Sequence, residues 1–207
     1  MFEEILLRDI FSYFQYLSFL VAIVYYNKYK NSRFFKFFVI YLLNILVFDI
    51  LSRTIFKVDN MNLFNAYTFF EFNFFALIYY HLVKNKSTLK LMLKLIIGFN
   101  IIYFVSFFSI DLTKYTVPIE GVFNSIFIIL FFRELLYSDK ILNYKKQLSF
   151  WISVAFLIFY LTTIPFFTLL YSELFSSRIM FPMLYYLIIV FHLCFIYGLV
   201  TCKKMED

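Results

Sequence analysis

Seven long apolar runs, separated by short polar connections, occupy most of this 207-residue chain. An α-helix needs about 20 mostly apolar residues to cross a bilayer, and each run approaches or meets that length. The sequence therefore predicts an all-α integral membrane protein, with a single transmembrane domain over residues 1–207 and seven transmembrane helices. The predicted spans are approximately residues 10–26, 34–51, 64–83, 91–110, 117–132, 150–170 and 181–200.

The composition agrees with a chain that lies in lipid. Hydrophobic residues make up 63% of the sequence and charged residues 15%, against about 45–50% and about 25% in soluble domains. A small soluble domain has too much surface to hide such an excess. We expect the 33 Phe and 18 Tyr residues to face lipid or pack between helices, with some Tyr in the interfacial belts. Nothing in this pattern predicts a cofactor.

The basic residues are divided unevenly between alternate connections. Fourteen of the 19 Lys and Arg residues fall in the first, third and fifth connections or in the C-terminal tail, and five fall on the opposite side. Cytoplasmic loops carry the excess of Lys and Arg in membrane proteins. We therefore expect the N-terminus outside and the C-terminus in the cytoplasm. This topology explains the net charge of +6 without a nucleic-acid partner.

Three runs have features that bear on where their helices begin or end. The first run follows Met1-Phe2-Glu3-Glu4, which lacks the basic segment of a secretory signal, so we expect a retained helix. The fifth run is short and is able to continue along the interface through residues 133–136. Pro165 lies inside the sixth run and is expected to kink that helix or to end it early.

Ionisable and amide side chains within the spans are the candidates for a functional site, because they are costly in lipid and usually face a bundle interior or a wet cavity. Glu71 lies about 10 Å below the outer boundary of the third span. Asn124 follows Glu120 by four residues, so the two share a helix face, and Tyr67 stands in the same relation to Glu71. The predicted ligand or proton site consists of Glu71, Glu120, Asn124, Asn100, His192 and Asp49.

If these side chains converge, they form an acidic cavity in the outer half of the bundle. A carboxylic acid there is expected to favour its neutral form, because low dielectric disfavours charge. Such a cavity would bind a cationic or hydrogen-bond-donating ligand, or exchange a proton. Of the deep residues, His192 is the candidate partner for Glu71 that is able to carry positive charge.

Each candidate also has a purely structural explanation. A protonated Glu71 would serve equally well as a hydrogen-bonding contact to a neighbouring helix. Glu120 and Asp49 lie near enough to the interface to be solvated. The asparagines suit interhelical hydrogen bonds, and His192 suits a packing role.

Several enzyme classes lack their sequence signatures in this chain. There is no Gly-x-Ser-x-Gly, His-Glu-x-x-His or Gly-x-x-x-x-Gly-Lys pattern, as serine hydrolases, zinc proteases and P-loop proteins would have. The two histidines lie on different predicted helices without a cysteine cluster, which predicts no zinc or haem site. We therefore expect a protein that is not an enzyme.

Two segments carry a resemblance to known membrane proteins. They are Asn65-Ala66-Tyr67-Thr68-Phe69-Phe70-Glu71 in the third run and Ser149-Phe150-Trp151-Ile152 at the start of the sixth. On these residues the chain resembles small polytopic proteins of unknown function from AT-rich bacteria, some of which resemble the membrane modules of sensor kinases. The resemblance implies a sensory or partner-binding role, and the 207 residues include no kinase domain.

These observations favour a non-enzymatic signalling module in the cell (cytoplasmic) membrane that senses a ligand or binds a partner. The basic loops would contact anionic lipid or a cytoplasmic protein. Association of the chain with copies of itself is a further open alternative. One alternative is a small transporter or channel subunit in which Glu71 carries a proton or cation. Another is a membrane accessory of a cytoplasmic system, such as a defence system.

Overall fold

The computed structural model describes residues 2–54, 61–108, 115–171 and 177–203. Seven long helices, labelled α1 to α7 here, contain most of these residues. They are Phe2–Val24, Arg33–Thr54, Met61–Leu82, Lys86–Ser106, Thr116–Leu136, Leu148–Tyr171 and Ser177–Thr201. A short helix, Tyr26–Tyr29, follows α1, and a 3₁₀-helix, Asp139–Lys146, precedes α6. The described residues contain no strand, which confirms the all-α prediction.

The helices extend beyond several of the predicted boundaries. α3 begins at Met61, three residues before the predicted start, and α5 continues to Leu136. Pro165 does not end α6 early, because the helix continues to Tyr171, and the alternative expectation of a kink at Pro165 stays a prediction. The predicted end of the fourth span at Ile110 lies outside the described residues.

Four helices are long and apolar enough to cross a membrane, which indicates a membrane-embedded protein. The qualifying segments are Arg33–Thr54, Lys86–Ser106, Leu148–Leu170 and Phe181–Thr201, in α2, α4, α6 and α7. α1 contributes a shorter apolar segment, Asp9–Val24. The remaining long helices, α3 and α5, carry Glu71 and Glu120. The count of seven spans and the orientation stay predictions.

Six of the long helices pack in a closed ring. In order around the ring these are α1, α2, α3, α5, α6 and α7, and α7 returns to contact α1. α4 lies outside the ring against α3 and α5. Its outward side chains, among them Leu93, Ile97 and Ile101, are exposed and suit contact with lipid acyl chains.

Aromatic side chains fill the centre of the ring. The ring of Phe156 on α6 lies 4.6 Å from that of Phe75 on α3, 5.2 Å from that of Tyr41 on α2 and 5.3 Å from that of Phe195 on α7. These centroid distances are typical of edge-to-face aromatic pairs, and all four side chains are buried. The abundance of Phe and Tyr in the sequence thus has a packing role as well as a lipid-facing one.

Glycine allows α5 and α6 to approach closely at one point. A Cβ atom built on Gly121 would lie 2.8 Å from Cγ1 of Ile164 and 3.7 Å from Cδ1 of Tyr160. The absence of a side chain at Gly121 therefore allows Ile164 and Tyr160 of α6 to pack directly against α5. A Cβ built on Gly98 of α4 would meet no atom within 4 Å.

The end of α5 is tied to the turn between α3 and α4. The carboxylate of Glu134 accepts hydrogen bonds from the backbone N–H groups of Lys84 at 2.6 Å and Asn85 at 3.2 Å. The Asn85 side chain caps α4 by accepting from the backbone N–H groups of Ser87 and Thr88. Helix N-termini leave such N–H groups unpaired and favour these acceptors.

We predict that Gly121→Val destabilises the protein, whereas Gly98→Val does not. The new methyl groups at position 121 would force α5 and α6 apart, and overpacking of this kind costs about 1–3 kcal/mol. At position 98 the side chain enters open space, so the two variants share the helix-propensity change and differ in packing. Thermal unfolding of the detergent-purified proteins provides the comparison. Equal unfolding temperatures would contradict the close α5–α6 contact.

Candidate functional site

Three tyrosine side chains hydrogen-bond to the carboxyl group of Glu71. The Tyr41 hydroxyl on α2 donates to Glu71 Oε1 at 3.0 Å, and the Tyr160 hydroxyl on α6 donates to the same oxygen at 3.3 Å. Tyr67, one turn before Glu71 on α3, also hydrogen-bonds to this carboxyl. Glu71 is therefore held by groups from three helices.

The position of Glu71 follows from the extent of α3. The helix begins at Met61, so Glu71 lies about 15 Å along the helix axis, near its midpoint. This is farther from the start of the helix than the sequence predicted, because the helix begins earlier than the apolar run. Its side chain is 7% exposed and points into the ring of helices.

Glu120 and Asn124 extend this arrangement onto α5. The amide Nδ2 of Asn124 donates to Glu120 Oε1 at 3.2 Å, as their spacing of four residues allows. Glu120 is 2% exposed, so the expectation that it is solvated near the interface is wrong. α5 turns this residue towards α3 and α6 and away from the surface.

Glu71, Glu120 and Asn124, together with Tyr41, Tyr67 and Tyr160, are called the interior cluster below. Both carboxyl groups are buried, and each is hydrogen-bonded within the cluster, Glu71 by Tyr160 of α6 and Glu120 by Asn124 of α5. Two ionised carboxylates in a dry interior repel each other and lose their hydration, so they do not both ionise unless positive charge is supplied. The interior cluster therefore holds one or two protons, or a cation.

The other three predicted site residues lie in separate polar contacts. Asp49 accepts hydrogen bonds from Arg53 at 3.1 Å and from Tyr16 at 2.9 Å, and Arg53 also pairs with Asp9. Asn100 of α4 exchanges hydrogen bonds with Asn73 of α3 at 3.3 Å. The structure thus brings together only half of the predicted set.

His192 makes its contact on the far side of the ring. Its Nδ1 lies 2.7 Å from the Ser18 hydroxyl oxygen, between α7 and α1. The Ser18 hydroxyl also lies 2.9 Å from the carbonyl oxygen of Gln15, to which it donates. This arrangement places His192 in a packing contact and gives it no bond to Glu71, for which the sequence had made it the candidate cationic partner.

Sequence reasoning missed Tyr41 and Tyr160. They are two of 18 tyrosines, and neither stands at a helical spacing from a carboxylate. Tyr67 was found because it precedes Glu71 by four residues. The other two come from different helices, so only the packing of α2 and α6 against α3 reveals them.

Comparisons with protein-family models, with curated proteins and with solved structures find no match to this chain. The resemblance to membrane modules of sensor kinases therefore stays an expectation.

Replacement of Tyr41 by Phe tests whether Glu71 carries charge. Both Tyr41 and Tyr79 are fully buried, but Tyr79 donates to a neutral partner, the Ser153 hydroxyl, at 2.8 Å. Hydrogen bonds to charged groups contribute about 1.5–3 kcal/mol and neutral ones about 0.5–1.5 kcal/mol. We predict that Tyr41→Phe lowers the free energy of unfolding more than Tyr79→Phe does. Equal losses, measured by denaturation in detergent, would indicate a neutral Glu71.

Proposed function

We propose that the chain is a multi-pass membrane protein in which α1 to α7 all cross the bilayer, with the N-terminus outside. Each of these helices has 21 to 25 residues, which is long enough to cross a bilayer. The alternation of basic connections supports the orientation. α3 and α5 are acceptable spans because their carboxyl groups face the ring interior.

We further propose that this protein is a sensing module whose ligand binds at the interior cluster. The observation that carries the proposal is the convergence of Glu71 and Glu120, from two helices, with hydroxyl groups from α2, α3 and α6. Buried ionisable groups without a charged partner are costly, and they mark functional sites in membrane proteins. A ligand there would contact α2, α3, α5 and α6 at once and so bias how these helices pack.

The proposed cytoplasmic side offers a surface for signal output. Lys145 and Lys146 lie at the end of the 3₁₀-helix, whose backbone is anchored from two directions. Trp151 Nε1 donates to the Lys145 carbonyl at 2.9 Å, and the backbone N–H of Lys203 donates to the Lys146 carbonyl at 3.3 Å. Basic residues on such a fixed surface suit anionic lipid head groups or an acidic protein partner.

Cysteine labelling from one side of the membrane tests the orientation. We predict that a membrane-impermeant maleimide labels Thr113→Cys, but not Ser138→Cys, in intact cells, because the proposed topology places the connection between α4 and α5 outside. Both sites become reactive after the membrane is permeabilised. The native Cys202 gives low background, because it is buried and burial raises the pKa of its thiol, which leaves little reactive thiolate. Labelling of Ser138→Cys in intact cells would contradict the proposed topology.

A ligand screen with a matched variant tests the sensing function. We expect the unfolding temperature of the purified wild type to rise saturably with a cationic or hydrogen-bond-donating ligand and to change with pH. Glu71→Gln should lose both responses, because it cannot ionise. Asp49→Asn is the control, since Asp49 is paired with Arg53 outside the interior cluster, and it should keep the responses.

If the curves of wild type and Glu71→Gln coincide under all conditions, Glu71 is an interhelical contact and the proposed site is wrong. Flux in reconstituted vesicles separates the sensing proposal from transport. A transporter would show ligand-dependent flux that Glu71→Gln abolishes, whereas a sensor would bind without flux.

A further inference from the structure

The interior cluster contains a buried acceptor without a donor. Asn124 is fully buried, and its Oδ1 atom accepts no hydrogen bond from the described residues. The amide nitrogen of the same side chain donates to Glu120 Oε1 at 3.2 Å, so Oδ1, which is bonded to the same amide carbon, lies beside the cluster. A buried polar atom without a partner is costly, and an oxygen in this position favours a donor or a positive charge.

The chain supplies no positive charge of its own at this depth. No Lys or Arg occurs within residues 37–52, 58–83, 115–132 or 147–177, which include every segment that contributes to the interior cluster. His192 is engaged with Ser18 on the far side of the ring. Positive charge that balances Glu71 or Glu120 therefore comes from bound protons or from a bound cation.

We propose that the interior cluster binds one small monovalent metal cation, held by oxygen atoms of Glu71, Glu120 and Asn124. This inference rests on the proposed ligand-binding function of the same cluster and names the class of ligand. Every group available for coordination offers oxygen, which hard cations prefer and soft transition metals do not. One carboxyl group keeps its proton, and the cation balances the charge of the other.

Packing around the cluster favours a bare monovalent ion over larger or more demanding ligands. At Gly121, beside Glu120, α5 and α6 are in direct contact, which leaves little room for an organic cation. With one carboxyl group protonated, the cluster carries a single negative charge, which a monovalent ion balances and a divalent ion would exceed.

Thermal unfolding in different chloride salts tests this inference. The detergent-purified wild type is compared in LiCl, NaCl and KCl against N-methyl-D-glucamine chloride, at one pH and one ionic strength. We expect at least one alkali ion to raise the unfolding temperature saturably, by about 5–10 °C once its concentration is about 100 times its Kd. The large organic cation controls for ionic strength and should give no shift.

Two variants and a control assign the effect to the cluster. Glu71→Gln and Asn124→Leu should each lose the alkali-ion shift, since each removes one coordinating oxygen or its charge. Asp49→Asn should retain the shift. If Glu71→Gln does not fold, Asn124→Leu decides the question, because it leaves both carboxyl groups in place.

The outcomes separate failure of this inference from failure of the proposed function. The absence of a shift in all three alkali-metal salts overturns the inference. If an organic cation then stabilises the wild type and not Glu71→Gln, the proposed ligand site still stands. If no ligand acts through Glu71, both proposals fall.

Discussion

The burial of two carboxyl groups in one polar cluster within a helical bundle is the constraint on which the rest of this structure depends. Loss of hydration makes each charge costly, and mutual repulsion makes the pair more so. The fold surrounds Glu71 with three hydroxyl donors and gives Glu120 the amide of Asn124. These contacts bind α2, α3, α5 and α6 together, so the polar site is also part of what holds the bundle in one arrangement.

Aromatic packing and the hydrogen bonds to Glu134 hold the helices around the interior cluster in place. Phe156 and its neighbours fill the ring beside the cluster, and the low dielectric they create strengthens every electrostatic contact within it. The helices that carry the two acids, α3 and α5, are joined again where Glu134 bonds to the turn at Lys84. The hydrogen bonds to Glu134 therefore resist a change in the spacing of α3 and α5. They lie next to the basic connections that we propose as the surface for signal output.

Apolar length and helical spacing were enough to predict the all-α class, the approximate helix positions and the pairing of Glu120 with Asn124. They did not predict how the helices are arranged, because lipid-facing and buried apolar residues look alike in sequence. Tyr41 and Tyr160 were missed for that reason, and Glu120 was assigned to the interface because it lies near the start of its helix. Asp49, Asn100 and His192 have partners on neighbouring helices that only packing reveals. The seven spans and their orientation still rest on the sequence.

A double-mutant cycle between Glu71→Gln and Glu120→Gln tests most directly whether the two acids act as one cluster. The free energy of unfolding is measured in detergent for the wild type, both single variants and the double variant. Residues in contact or in one network show coupling energies of about 0.5–3 kcal/mol, and we predict a value in that range. The pair Glu71→Gln and Asp49→Asn should be additive, since Asp49 belongs to a separate contact. Additivity between Glu71 and Glu120 would contradict the interior cluster.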